Sequence, residues 1–329
     1  MGRESCMKKT SIGGQALIEG IMMRGPHKSV MANRRPDGSV TVEEVASASL
    51  AKKPVLRWPV IRGAVSLIES MVLGYRVTML SAERAGMLDD EEPEKAAEPA
   101  AEEASAGEKK SHAGLMAALG VISGVLGVAL AVFLFIYLPS VLFNLLNGAA
   151  GGVLSPVRAL FEGVLKVALF LGYLIAVSQM KDINRVFRYH GAEHKTIFCY
   201  EKGLPLTVEN VARQRRFHPR CGTSFMVLML LVSILFYSLI LLIPAVYAFS
   251  RITWLWGIIK LLLLPVIVGF GYELIKFCGR HDNWLTRVIS APGMWVQRIT
   301  TKEPDDSMME VAIAALEAVI PENAEDDRW

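Results

Sequence analysis

Residues 114–146 read GLMAALGVISGVLGVALAVFLFIYLPSVLFNLL, a run of 33 residues without a charged side chain. About 20 apolar residues are enough for a helix to cross the hydrocarbon core of a bilayer. Pro139 lies inside the run, so we expect the chain to span once and then to bend into the membrane interface. The stretch predicts an integral membrane protein.

Three further segments are apolar and long enough to span: 160–180, 224–249 and 252–275. The 329-residue chain is 52% hydrophobic although 20% of its residues are charged, so its apolar residues are concentrated in such runs. We therefore predict a mainly α-helical membrane protein with about four transmembrane helices. Glu162 and Lys166, spaced four residues apart in the second run, are expected to form a structural ion pair.

The distribution of Lys and Arg predicts the orientation of these spans. Segment 181–222 carries nine Lys or Arg residues, whereas 147–159 contains only Arg158 and the turn at 250–251 only Arg251. Short loops rich in Lys and Arg stay in the cytoplasm. Segment 181–222 should thus be cytoplasmic, and with four spans both termini of this multi-pass inner-membrane protein are cytoplasmic too.

Charge and cysteine content restrict the partners of the chain. The net charge of +3 is small and scattered, which argues against nucleic acid and favours contact between basic residues and anionic lipid headgroups of the bilayer. All four cysteines map to the cytoplasmic side of this topology, where thiols stay reduced, so metal binding or plain burial is expected rather than disulfides. They are Cys6, Cys199, Cys221 and Cys278.

The first part of the chain, 1–87, is predicted to form a small cytoplasmic α+β portion. Residues 12–45 have strand character, with a turn at Pro36-Asp37-Gly38. An amphipathic helix follows, because four charged residues recur at seven-residue intervals on one stripe. These are Arg62, Glu69, Arg76 and Glu83. The helix either covers the sheet or lies in the membrane interface.

The remaining segments divide around the membrane domain at 113–279. Residues 88–112 hold nine acidic residues and two prolines, so we expect a disordered linker. In the C-terminal cytoplasmic segment 280–329, a helix begins after Asp306 or Ser307 as N-cap. Its apolar face should dock on the cytoplasmic portion.

Residues 189–197, YHGAEHKTI, contain the order H-x-x-E-H. If the second span continues as a helix, His190 and His194 lie one turn apart, which lets two imidazoles reach one metal ion. Glu193 lies beside them and corresponds to the general base of H-x-x-E-H metallopeptidases. The alternative interpretation is a set of polar residues at the end of a helix.

Residues that could complete this site lie in two later motifs. FHPRCGTSF at 217–225 adds His218 and Cys221, and GYELIKF places Glu273 near the cytoplasmic end of the last span. Imidazole with thiolate or carboxylate favours zinc, with iron or manganese possible for His and Glu alone. Arg220 beside a helix N-terminus suits a phosphate or carboxylate of a substrate. The simpler alternatives are helix capping at 223–224 and an ion pair of Glu273 with Lys276 or Arg280.

Several of these motifs together resemble the YqhQ-like family of bacterial membrane proteins, a family of unknown function. The resemblance covers nearly the whole chain outside the acidic linker and includes GGQALIEGIMMRGP at 13–26, YHGAEHKTI, HPRCGTSF, YELIKF and RITTKEPDD at 298–306. It implies a metal-dependent enzyme, with His190, Glu193, His194, His218, Cys221 and Glu273 on the matching motifs.

Three functions compete. We favour a metal-dependent enzyme, a hydrolase of a membrane-associated peptide or lipid, in which two histidines bind the ion, His218 or Cys221 completes the set and Glu193 is a base. The alternative is an assembly or scaffold protein with a closed, structural zinc site. A transporter is disfavoured because the predicted spans are mostly uncharged at depth.

Overall fold

The computed structural model describes residues 9–46, 58, 61–86, 122–281, 283–323 and 325–327. Cys6 and the predicted linker at 88–112 lie outside the described residues. The chain divides into two compact units. The first comprises Met1–Asp89, Phe170–Phe236 and Leu263–Trp329, and the second comprises Asp90–Leu169 and Tyr237–Leu262.

The N-terminal residues form a four-stranded antiparallel meander in the order β1-β2-β3-β4. This confirms the predicted small sheet. Sequence alone did not separate the first two strands, which are joined by a turn where Glu19 has a φ of 51°. The strands are β1 (Gly13–Leu17), β2 (Gly20–Arg24), β3 (Ser29–Arg34) and β4 (Val40–Val45).

Ten helices are found among the described residues. In chain order they are α1 (Ile61–Arg84), α2 (Ile122–Ala149), α3 (Arg158–Ser178), α4 (Lys181–Glu201), α5 (Val208–Ala212), α6 (Gly222–Ile240), α7 (Pro244–Ser250), α8 (Thr253–Arg280), α9 (Trp284–Thr300) and α10 (Asp306–Glu317).

Five of these helices are long and apolar enough to cross a membrane, one more than the predicted count: α1, α2, α3, α6 and α8. The additional helix is α1, whose mean hydropathy of 1.2 is the lowest of the five. The four apolar runs all form helices. Within α2 the helix continues through Pro139, directly after a π-helical stretch at Phe133–Tyr137, and a bend of the chain into the membrane interface stays a prediction.

Helix α1 covers one face of the sheet. Its Leu73 and Val77 pack with Leu17, Met22 and Met31 in one buried cluster, as the first of the two predicted arrangements requires. The helix is also apolar away from the sheet, because Ile68, Met71, Val72 and Tyr75 are exposed. Its position in a membrane interface stays a prediction.

The opposite side of the sheet packs against α4, α5 and α10. Helix α10 begins one residue earlier than predicted, since the Asp305 side chain accepts a hydrogen bond from the Met308 N–H at 3.1 Å. Met308, Ala312 and Leu316 are fully buried in the cluster that joins these elements. This packing fixes α4, which carries the H-x-x-E-H residues, between the sheet and the C-terminal helix.

In the second unit, Glu162 does not form the predicted pair with Lys166. Its carboxylate accepts hydrogen bonds from Arg158 Nε, one turn earlier on the same helix at 3.0 Å, and from Lys260 Nζ on α8. Lys166 instead lies 5.0 Å from the centre of the Tyr237 ring. All three cations are buried. Lys260 of α8 therefore takes the place beside Glu162 that the spacing of four residues predicted for Lys166.

Candidate metal centre

The two motif histidines lie on α4, which is separate from the apolar helix before it. Helix α3 ends at Ser178, and Met180 has an extended backbone with ψ of 134° before α4 begins. The prediction of one continuous helix is wrong, but the spacing within α4 is kept. The ring centres of His190 and His194 are therefore 4.4 Å apart.

Cys221 joins these histidines from the segment before α6. One ligand atom from each of His190, His194 and Cys221 lies within 4.8 Å of the other two. The Nε2 of His190 is 3.2 Å from the Cys221 Sγ. Two imidazoles and a thiolate that converge on one position form a ligand set that suits zinc.

Backbone carbonyls orient both imidazoles. His190 Nδ1 is 2.9 Å from the carbonyl oxygen of Thr300, and His194 Nδ1 is 2.5 Å from that of Arg216. Because a carbonyl oxygen only accepts, each Nδ1 must carry a proton in this arrangement, and Nε2 is the nitrogen that each ring would offer to a metal ion. Metal-bound histidines are usually held in this way, so the residues fit a divalent ion.

Without a metal ion, His190 and Cys221 stabilise each other's charged forms, so that metal binding releases a proton from His190. Burial lowers the pKa of His190, but the neighbouring Cys221 thiolate more than offsets this and raises the pKa to about 9. Burial raises the pKa of Cys221, yet His190 and His194 pull it well below its usual value. The two histidines thus favour the thiolate form of Cys221, which is the form that binds metal tightly.

Glu193 is buried between the cluster and strand β1. Burial raises the pKa of its carboxyl, while the charges of His190 and His194 and a backbone hydrogen bond from Gly14 act in the opposite direction. Its carboxyl group lies 2.9 Å from the position that a Cβ on Gly14 would occupy. A carboxyl group whose pKa is raised toward neutrality suits proton transfer.

His218 lies next to the cluster rather than in it. Its ring centre is 5.5 Å from that of His194, and its Nε2 is 3.7 Å from a carboxylate oxygen of Glu201. Burial lowers the pKa of His218 to about 4. Gln297 bonds both the backbone N–H and the carbonyl of His218, each at 2.7 Å. Of the two alternatives for the third ligand, Cys221 lies within the cluster with His190 and His194. His218 lies next to the cluster and is not part of it.

The structure does not bring Glu273 to the cluster. Its two carboxylate oxygens accept hydrogen bonds from Arg62 Nε and Nη2 at 2.7 and 2.6 Å. A guanidinium group fits a carboxylate in this two-bonded manner and forms a strong pair. Sequence spacing offered Lys276 or Arg280 as partners, whereas the pair observed joins α8 to the distant helix α1.

A cavity of about 370 Å³ opens beside the cluster. It is lined by the motif residues, by Arg220 and by the N-terminal strands, including His190, Glu193, His194, Cys221, Gly13, Gly14, Gln15 and Arg24. Sequence reasoning gave β1 no part in the site. The paired glycines at its start were the available signal, because Gly permits close approach of a backbone to a functional group.

We expect Gly14→Ala to reduce catalysis while metal content stays at the wild-type level. The added Cβ would lie 2.9 Å from the Glu193 carboxyl group, so that side chain must move, whereas neither histidine nor Cys221 is displaced. Metal analysis and turnover measured on the same preparation check this. Gly13→Ala is the control, because a Cβ there meets nothing within 4 Å; equal activity of the two variants would contradict the assigned position of Glu193.

Comparisons with known proteins give a family and no solved structure. The family model described as a protein of unknown function (DUF1385) matches residues 58–322. The chain is 34% identical over 315 residues to the uncharacterized protein YqhQ of Bacillus subtilis (strain 168), and the match covers 94% of this chain and 92% of that protein. No solved structure matches the chain.

Proposed function

The chain belongs to the family of proteins of unknown function DUF1385, and for this member we propose a metal-dependent enzyme, a hydrolase, whose ion is bound by His190, His194 and Cys221. Membership of this family agrees with the resemblance that the sequence motifs indicated. One observation carries the proposal: three ligand atoms within 4.8 Å of one another border a cavity that a buried carboxyl group also lines. Catalytic zinc sites have three protein ligands and an open position, whereas structural sites have four.

The proposed metal is zinc, since imidazole with thiolate suits it better than it suits magnesium or calcium. A bound zinc ion lowers the pKa of water and polarises a carbonyl or phosphoryl group.

The protein's own groups have separate roles in this proposal. Glu193 accepts a proton from the attacking water and returns it to the leaving group, for which its position on the cavity wall and its raised pKa are suited. The carbonyls of Thr300 and Arg216 accept from the two Nδ1 atoms and orient both rings, so that Nε2 is the atom that would bind the ion. Arg220 lines the same cavity, and its guanidinium supplies positive charge for an anionic substrate group.

We propose that the protein resides in the bacterial inner membrane with the site on the cytoplasmic face. The five apolar helices support a bilayer location. The nine Lys and Arg residues of 181–222, the segment that carries α4 and Cys221, support the cytoplasmic side. In this topology α1 lies in the interface, four helices span, and both termini are cytoplasmic.

An enzyme is distinguished from a scaffold with a closed zinc site by testing for an open coordination position. In protein loaded with Co²⁺, an open site binds added azide, and its visible absorption spectrum changes with azide concentration. A closed four-ligand site gives a spectrum that azide leaves unaltered, and this result would reject the enzyme proposal in favour of the scaffold. Cys221→Ser is the control, since it removes the absorption that arises from the cobalt–thiolate bond.

A further inference from the structure

A second cavity, of about 730 Å³, shares part of its wall with the metal-site cavity. His218 and Arg220 line both cavities. Its volume lies within the usual range for binding sites of small molecules. None of the residues proposed as metal ligands lines it, so it is separate from the proposed ion site.

The lining of this second cavity is strongly cationic. Among the described residues it includes four cations and a single carboxylate, namely Lys9, Arg215, Arg220 and Arg287 against Glu201. The Glu201 carboxylate is already engaged, because it accepts hydrogen bonds from Arg220 and from the backbone N–H of Thr10. Positive charge therefore exceeds negative charge at the surface of the cavity, which favours an anionic ligand.

Apolar side chains form another part of the wall. Phe198, Ala291, Met294 and Trp295 line the cavity, and the Arg215 guanidinium lies 4.7 Å from the centre of the Phe198 ring. A phosphate group is recognised well by guanidinium forks. Cations beside an apolar wall match a ligand that carries both a phosphate and a hydrocarbon part.

The helix that supplies much of this wall also has an exposed apolar face. On α9, Trp284, Leu285, Val288 and Trp295 are exposed. Tryptophan is enriched where a protein meets the interface of a bilayer, and helices with one such face lie in that interface. The cavity is thus placed on the side of the first unit that suits contact with lipid headgroups.

We propose that the second cavity binds the phosphate of an anionic phospholipid, and that such lipids are the substrate class of the neighbouring metal centre. The substrate part of this inference rests on the proposed function. Arg215 and Arg287 bind the phosphate, Arg220 lies between the two cavities, and the apolar wall contacts the part of the lipid next to its headgroup.

Calorimetric titration of the full-length protein in nonionic detergent tests the inference, with soluble dihexanoyl phosphatidic acid as the probe. We expect saturable binding that the double variant Arg215→Gln/Arg287→Gln weakens by about tenfold or more, since each lost charged hydrogen bond is costly. Arg213→Gln is the matched control, because this exposed residue pairs with Glu209 and does not line the cavity; it should bind like wild type. Unchanged binding by the double variant overturns the proposal.

Two further ligands separate the possible sources of the phosphate. Inorganic phosphate bound as tightly as phosphatidic acid overturns a lipid site in favour of a free-phosphate site. Equal binding of dihexanoyl phosphatidylcholine indicates a merely apolar cavity and also overturns the proposal.

Metal content measured on the same samples separates this inference from the proposed function. The double variant should keep the wild-type metal content, because neither arginine is among the proposed ligands. Lipid binding by a wild-type protein that holds no metal rejects the enzyme and its substrate class but keeps the lipid site. A metal-containing protein that binds no phosphatidic acid rejects the lipid site alone.

Discussion

Replacing Gly191 with alanine should destabilise the protein and release most of its bound metal. A Cβ at this position would lie 2.0 Å from the backbone carbonyl oxygen of Lys302, far inside van der Waals contact. Overpacking of this kind costs about 1–3 kcal/mol, and more when backbone must move. That exceeds the gain of about 1 kcal/mol that alanine brings to a helix.

The displaced segment is the one that orients a proposed ligand. The Lys302 N–H donates to the Phe187 carbonyl at 2.8 Å, and the Thr300 carbonyl accepts from His190 Nδ1 at 2.9 Å. Moving this segment away from α4 therefore removes the hydrogen bond that fixes the His190 ring. Loss of such an outer partner typically lowers metal affinity by about 10- to 100-fold.

Thermal unfolding in detergent and metal analysis measure the two effects of Gly191→Ala separately. Gly172→Ala on α3 is the matched control, because a Cβ there meets nothing within 4 Å; this variant should be as stable as wild type or slightly more stable. A Gly191→Ala protein with wild-type stability and full metal content would show that the contact between α4 and residue 302 is unimportant.

Glu193→Gln should reduce hydrolysis by about 10²- to 10⁴-fold, the range in which positioned acid–base groups act, and leave metal content unchanged. The amide is nearly isosteric with the carboxyl group but does not accept and return a proton. The buried position of Glu193 beside Gly14 leaves little room for another residue to substitute for it. Turnover is measured on a lipid or peptide that the zinc-loaded wild type hydrolyses.

The pattern of loss distinguishes the roles open to Glu193. Loss of metal together with activity would make it a ligand or a structural residue rather than a base. Retained activity would reject its role in catalysis. Glu209→Gln, which changes an exposed side chain on α5, serves as the control for removing one carboxylate.

The sequence predicted the local spacing of the ligands better than it predicted which distant residues contact them. The spacing of His190 and His194 required only that the segment be helical, and this holds even though α4 is not a continuation of α3. The choice of Cys221 over His218 depends on the Gln297 side chain, which comes from another helix 76 residues after Cys221. No local pattern contains that information.

The same limit explains why the ion-pair partners of two carboxylates differ from those that spacing predicted. Glu273 pairs with Arg62 and Glu162 with Lys260, in both cases across helices distant in sequence, while spacing rules recognise only neighbours on one helix. In the sequence, Lys260 is a single cation within an apolar run, and no partner was predicted for it. Its burial with Glu162 became visible only when α8 was placed against α3.

Two glycines had opposite meanings in sequence and structure. Gly191 weakens an isolated helix by about 1 kcal/mol relative to alanine, yet close packing on residue 302 requires a residue without a Cβ there. Gly14, which has no side chain in the sequence pattern, lies beside the Glu193 carboxyl group in the structure. For the fold, the apolar runs and the turn at 36–38 predicted the long helices and the small sheet, whereas the break between α3 and α4 and the separation of β1 from β2 were not predicted.

The metal content of the purified full-length protein tests the central claim most directly. We predict about one zinc ion per chain in wild type and almost none in His190→Ala/His194→Ala, whereas a control lacking the exposed His27 and His281 keeps the wild-type ratio. A wild-type protein that binds no transition metal when zinc is supplied, or an unchanged ratio in His190→Ala/His194→Ala, would contradict a metal centre at this site.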